Sequence, residues 1–295
     1  MAKIKKVKEP KLKKRTKRLN RSASGNFGIY AILLFFALFM AFPLVYAINS
    51  AFKPLDEIFI FPPRLWVQNP TLDNFQDLFV IMAKSWVPFS RYFFNTTFIT
   101  VVGTAGHIIL ASLAAFVLAK YKFPGSKTFF KIVITALMFN GYVTSIPNYL
   151  ILSELGWIDT YWSVIVPAFA APLGLFLMKQ FMEGVPDVLL EAAKIDGAKE
   201  WTIFIDIVMP IVKPAWLTLM IFSVQSLWNN QASVFIYSEE LKTLPFALQQ
   251  ILAGGVARAG VGSAVTLIMM IVPISVFIIS QSNVLETMAS SGIKD

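Results

Sequence analysis

Six stretches of this chain carry no Lys, Arg, Asp or Glu: Ser22–Phe52, Tyr92–Ala119, Ile132–Ser153, Thr160–Met178, Pro214–Ser238 and Ala259–Leu285. Each can hold the roughly 20 apolar residues that a helix needs to cross a bilayer. One charge at the centre of such a helix costs about 2.5–3.5 kcal/mol on insertion scales, so gaps this long point to hydrocarbon rather than to a soluble core. Composition agrees. Hydrophobic residues make up 56% of the 295 and charged residues 15%, whereas soluble domains carry about a quarter charged residues. The chain therefore reads as one polytopic, all-α membrane protein.

Charge then sets the orientation. Residues 1–21 hold eleven Lys or Arg and one Glu, and the rest of the chain sums to −1. Such a tail marks the cytoplasmic side and meets anionic membrane lipids. It has no interleaved aromatics, so no nucleic-acid partner is read from it. The apolar run Phe27–Ile48 exceeds the roughly 7–15 residues of a signal-peptide core, and it reads as a retained first span. Six transmembrane helices are predicted, over 27–51, 92–119, 131–153, 159–181, 213–237 and 263–284. The even count places both termini in the cytoplasm of a multi-pass protein of the cytoplasmic membrane. Cytoplasmic segments then hold 20 of the 26 Lys and Arg, the positive-inside asymmetry. The organisation is a polybasic tail over 1–26 and a transmembrane domain over 27–295. External loops fall at 52–91 and 238–262, and an internal loop at 182–212. Thr243–Ala257 is charge-free but short, and reads as an external loop or re-entrant piece rather than a seventh span.

The internal loop reads "GVPDVLLEAAKIDGAKEWTIFIDIVMP" from Gly184. Pro186 suits a first helical turn, and Asp187 and Glu191 favour a helix N-terminus. Gly197 suits the residue just past a helix end, which leaves Asp196 to cap a second helix. Trp201, Phe204, Ile205 and Val208 follow at i, i+3, i+4 and i+7, an amphipathic stripe that Pro210 ends. The local prediction is helix–Gly turn–helix with a charged elbow.

Residue types also exclude activities. A phosphate-binding loop needs G-x-x-x-x-G-K-[S/T]. The nearest string, Pro124–Thr128, places Ser126 between Gly125 and Lys127, so it reads as a short turn. No zinc-protease or nucleophile-elbow motif occurs, and without Cys there is no thiol chemistry or disulfide. No span centre carries the Asp, Glu, Lys or Arg that ion-coupled carriers bury. His107 is the sole titratable candidate there. It lies in a span whose Ala111, Ala115 and Ala119 suit close helix packing, and it reads as a hydrogen-bonded packing residue. Uncharged polar clusters mark a candidate substrate path: Asn140 and Asn148 in one span, and Gln225, Trp228, Asn229, Asn230 and Gln231 in another. Amides and an aromatic face suit a hydroxyl-rich, uncharged solute, although the same residues also join helices.

The elbow carries a resemblance. Glu191-Ala192-Ala193, then Asp196-Gly197-Ala198, then Ile207-x-Met209-Pro210 resembles the EAA loop of ABC importer permeases. The spacing matches throughout, and Met209 stands where that family has Leu. The "DGA" form, the external "AFKPLDEIFIFPPRLWVQNPTLDNF", "ASLAAFVLAKYKFPGSKTFF" and the ending "ASSGIKD" resemble the carbohydrate-uptake branch, in particular the smaller subunit of maltose-type permease pairs. The resemblance implies a type I importer permease fold with Glu191, Ala192, Ala193, Asp196, Gly197 and Ala198 in a coupling helix docked on a separate ATPase. It also implies no cofactor in this chain, with ATP and Mg bound by two partner ATPase subunits. The other implied partners are a second, homologous permease subunit and an extracytoplasmic solute-binding protein. The binding protein would be met by Gln249, Gln250, Gly254, Gly255 and Arg258. The function implied is sugar import without catalysis by this chain. The alternatives are a permease for another solute, such as a glycerol-phosphate diester, and an ion-coupled carrier.

Overall fold

The computed structural model of the protein describes residues 23–139, 141–255 and 258–291. Residues 1–22 of the polybasic tail and Asn140 lie outside these residues, as does the end of the "ASSGIKD" tail, whereas 23–26 of the predicted tail already belong to the first helix. Every regular element described is helical.

The chain divides into two compact units, with the boundary between Tyr46 and Ala47. The first unit is the bulk of α1 (Ala23–Ala51), a 29-residue helix with Pro43 inside it. At about 1.5 Å per residue it spans a bilayer with length to spare. From Phe27 to Tyr46 its side chains are apolar on every side of the helix, including Phe35, Leu38, Phe39 and Met40. A soluble helix would hide one such face, whereas a lipid-facing helix has no reason to.

The second unit is built on α4 (Phe89–Lys120). Three clusters of buried apolar side chains occur among the described residues, and α4 contributes to each. Ala111, Ala115 and Phe116 join one, Tyr92 another, Ile99 the third. Around α4 stand α7 (Trp162–Phe169) with α8 (Pro172–Glu183), α12 (Lys213–Trp228) and α14 (Ala259–Ser291). The external loop predicted over 52–91 is structured by α2 (Leu55–Ile58) and α3 (Asp73–Ala83). There Asn74 is buried and donates to the carbonyls of Ala51 (3.0 Å) and Lys53 (2.7 Å).

Four described helices are long and apolar enough to cross a membrane: Gly25–Ala51, Phe89–Lys120, Trp162–Glu183 and Ala259–Gln281. A bent pair, Glu200–Ile211 with Lys213–Trp228 at 78°, makes up to five. Two sequence expectations change. The span predicted over 131–153 is divided into α5 (Ser126–Ala136) and α6 (Gly141–Glu154). The span predicted over 213–237 stops at Trp228. There the amide of Asn229 turns back onto the Gln225 carbonyl (2.8 Å), and Asn230 Oδ1 accepts the Ala232 amide (2.8 Å). Side chains that bond backbone in this way compete with the helix and end it.

Candidate functional site

Two polar regions stand at opposite ends of α4. The first is the elbow. After α8, Val185 is buried and Pro186 precedes α9 (Asp187–Ile195). The helix closes on Gly197 at φ +82. The Gly197 amide donates to Lys194 O (3.1 Å) and the Ala198 amide to Ala193 O (2.9 Å), the paired bonds of a Schellman ending. A Cβ at this φ is strained whatever space surrounds it. Asp196 is the last residue of this turn and caps nothing beyond it; the next helical turn, α10 (Glu200–Thr202), follows Lys199.

From Ile203 to Val208 the backbone winds as a π-helix, before α11 (Met209–Ile211). The wider turn changes which residues face inward. Ile203, Phe204 and Val208 are buried, while Trp201 and Ile205 stay exposed. The predicted stripe is kept at Phe204 and Val208 and lost at Trp201 and Ile205, with Ile203 joining the buried side instead. The Trp216 indole donates to Met209 O (3.2 Å) and secures the bend into α12.

Leu190 is buried, and Ala193 and Ala198 pack on the same core cluster. The opposite side of α9 is apolar yet open: Val188 is 71% and Ile195 86% exposed, with Ala192 and Glu191 exposed beside them. Ion pairs hold the elbow to α4. The Lys120 ammonium, itself buried, donates to Val185 O (2.5 Å) and to Asp187 (2.7 Å). Lys194 pairs with Glu200 at 2.9 Å, and the Tyr121 hydroxyl donates to Glu200. The bond from Tyr121 and that from Lys194 hold the Glu200 carboxyl below the usual carboxylate range, and the bond to Glu200 raises Lys194. Lys120 does the same to Asp187.

The second region is a lattice where α4 begins. Asn95 is fully buried. Its amide donates to Glu240 O (2.8 Å) and Lys242 O (2.9 Å), and its oxygen accepts the Tyr161 hydroxyl (2.7 Å). Thr96 accepts the Leu244 amide (2.7 Å), and the Tyr92 hydroxyl donates to Glu239 (2.8 Å). Asp159 accepts the amides of Tyr237 (2.9 Å) and Ser238 (2.8 Å), and the Ser238 hydroxyl. Burial opposes its ionisation, but the donors from Ser238 and Tyr237 prevail and lower its pKa.

Between the two regions His107 joins three elements. Its Nε2 lies 3.1 Å from Ala171 O and its Nδ1 2.8 Å from Ser223 Oγ. A carbonyl only accepts, so Nε2 carries the proton and Ser223 donates to Nδ1. Gly174 packs against this ring so closely that a Cβ there would lie 2.2 Å from Nε2. His107 is thus the satisfied packing residue that its span suggests.

The proposed path residues divide. Gln225, Asn229, Gln231 and Asn148 are exposed. Trp228 is not with them: it is 2% exposed, its indole donates to Met269 O (3.1 Å), and it meets Phe93 edge to face. Asn230 is half-buried and spent on the loop. In the other proposed surface, Gln249 and Gln250 lie exposed on α13 (Leu244–Leu252), with Gly254 and Gly255 just past its end. Arg258 is half-buried against Gly254, with its guanidinium 3.4 Å from Ile251 O. Asn95, Asp159 and Lys120 were not singled out from sequence. Among the described residues no group of metal-ligating side chains occurs.

Comparison with known proteins fits this architecture. Residues 107–288 match the family described as binding-protein-dependent transport system inner membrane component. The chain belongs to this family. It is 31% identical over 226 residues to the arabinooligosaccharides transport system permease of Halalkalibacterium halodurans, covering 74% of this chain and 78% of that one. It is 30% identical over 249 residues to the polygalacturonan/rhamnogalacturonan transport system permease of Bacillus subtilis, covering 80% and 82%. A chain of a bacterial ABC transporter involved in import of the acidic polysaccharide alginate superposes with TM-score 0.75 at 24% identity, over 90% of this chain and 99% of that one. The fold is therefore that of a type I ABC permease, and the protein is a multi-pass component of the membrane.

Proposed function

We propose that this permease is one of two transmembrane subunits of an importer for an oligosaccharide. In this reading it crosses the membrane six times, with α5 and α6 together forming one span and both termini in the cytoplasm. A second permease subunit completes the path, two ATPase subunits bind ATP and Mg, and an extracytoplasmic binding protein delivers the solute. The chain itself catalyses nothing.

One observation carries the coupling role. The elbow pairs an inward face of Leu190, Ala193 and Ala198 with an open apolar face of Val188, Ala192 and Ile195. An apolar stripe rimmed by Glu191 and Asp196 suits a cleft in a soluble partner, because exposed apolar patches with charged rims mark docking surfaces. The Schellman turn makes the elbow stiff, and Lys120 ties it to α4, so a push on α9 reaches the spans as a rigid movement. The sugar assignment draws on the names of the relatives and on the uncharged amides Gln225, Asn229, Gln231 and Asn148.

The chain lacks Cys, so Ala192→Cys supplies a unique thiol. Crosslinking at that position to the co-expressed ATPase subunit, retained on ATP-trapped closure and abolished by Gly197→Pro, supports the docking. Uptake of arabino- or galacturono-oligosaccharides into proteoliposomes must need ATP and the binding protein. Uptake driven by a proton or sodium gradient without them overturns the reading, and uptake of a glycerol-phosphate diester instead overturns the substrate class.

A further inference from the structure

Beside the elbow, a groove of about 460 Å³ runs along the last turns of α4, lined by Leu113, Val117, Tyr121, Glu200, Trp201 and Phe204 among others. Its walls change character along its length. Leu113 and Val117 belong to the apolar stretch of a membrane-crossing helix. Tyr121 and Glu200 lie beyond the end of that helix, at Lys120. The groove therefore begins at hydrocarbon depth and ends at headgroup depth. Trp201 is 63% exposed at its mouth. Trp and Tyr together are the side chains that settle at a membrane interface. None of the wall residues belongs to α9, so the open face of the elbow helix is separate from the groove.

Charge distinguishes one kind of occupant. The two acids near the rim are already engaged, Glu200 by Lys194 and Tyr121, and Asp187 by Lys120. Lys122 and Lys199 are exposed, and each stands one residue along the chain from a wall residue, Tyr121 and Glu200 respectively; Lys122 adds to the field on the already paired Asp187, and neither lies within ion-pair distance of an acid among the described residues. After pairing, the rim is left with positive charge. We propose that this groove is a binding site for an anionic phospholipid, one acyl chain lying along Leu113, Val117 and Phe204 and the phosphate meeting Lys122 and Lys199. A zwitterionic lipid would fill the same apolar walls but gain nothing from the two lysines. The site sits against the π segment that leads from the elbow to α12, so the lipid props the element that a moving elbow must displace.

Trp201 is the natural reporter, one of seven tryptophans. The assembled transporter is reconstituted in phosphatidylcholine vesicles containing, as a minor component, either brominated phosphatidylglycerol or brominated phosphatidylcholine. The difference in quenching between native protein and Trp201→Phe isolates this residue. Trp201 is quenched at lower mole fraction by the anionic lipid. Lys122→Gln and Lys199→Gln each weaken that preference roughly fivefold, the effect of about 1 kcal/mol for a basic residue near an anionic surface. Val117→Phe fills the groove without adding a reporter and removes saturable quenching while leaving the lysines in place. Equal quenching by both lipids overturns the proposal in favour of ordinary annular contact. No quenching by either overturns it in favour of a protein segment, the tail over 1–22 or a partner subunit, covering the groove.

Discussion

The two ends of α4 are held by different physics. Where the helix begins, buried Asn95, Thr96 and Tyr92 bond to the backbone or to an acid of the segment 239–244. Where it ends, the elbow hangs on an exposed Lys194–Glu200 pair, on the buried Lys120 ammonium with its exposed partner Asp187, and on an apolar face of Leu190, Ala193 and Ala198. Buried bonds to backbone carbonyls are costly to leave unmade, because each freed group is then unsatisfied. Exposed pairs are weak and exchange readily with water. One end is thus a fixed joint. The other has fewer buried polar bonds but shares the core cluster with α4, so it moves with that helix, as an elbow that passes a push to the spans requires.

The largest expected effect tests the fixed joint. Asn95→Leu leaves two carbonyls and the Tyr161 hydroxyl unpaired, at roughly 1–3 kcal/mol for each. The thermal midpoint in detergent should fall by far more than for any elbow substitution. A drop no larger than that of Lys194→Gln would erase the distinction. Next is Gly174→Leu, which drives a side chain into His107 and should lower both stability and transport. Gly174→Leu combined with His107→Ala should recover part of the loss if the clash is the cause.

Lys120→Met comes third. It removes two charge-assisted bonds from a buried ammonium, and the bond to Val185 O alone is worth about 1.5–3 kcal/mol. Hydrogen exchange over 185–190 should rise while the segment 239–244 stays protected. Gly197→Ala is smaller, about 1 kcal/mol from the strained positive φ, and should slow uptake more than it lowers the midpoint. Ile195→Ser should leave stability within about 0.5 kcal/mol, as an exposed position does, yet reduce ATP-coupled uptake.

Acid offers a further contrast. The folded pKa of Asp159 is depressed, so its stabilising bonds are complete above the ordinary Asp value of about 3.9 and are lost as pH falls through the lower folded value. Proteolysis of the loop 229–238 should therefore be unchanged from neutral pH to about pH 5 and rise only below about pH 4. In Asp159→Ala it should be high throughout.

Much of this was legible in the sequence, for reasons that also explain the gaps. Gly197 was placed because a helix end needs a positive φ and few residues supply one. The long spans at α1, α4 and α14 were placed because charge is excluded from hydrocarbon. The end of α12 was misjudged by nine residues, from 237 to 228, because absence of charge says where a helix can run, not where amides such as Asn229 and Asn230 stop it. The stripe failed at Trp201 and Ile205 because a π turn leaves no mark in residue type. Asn95 gave no signal at all, since its carbonyl partners lie 145 and 147 residues away. Trp228 resembled a contact residue by type, and its burial takes it off the proposed path.

The π segment between Ile203 and Val208 has one more consequence. A helix converts residue count into azimuth, about 100° for each residue. A segment that winds at a different rate sets a phase between whatever precedes it and whatever follows. The heading of the elbow around the axis of α12 is therefore encoded in arithmetic as well as in side chains. Deleting the exposed Asp206 would leave every buried side chain of this segment in the sequence and still point α9 in the wrong direction.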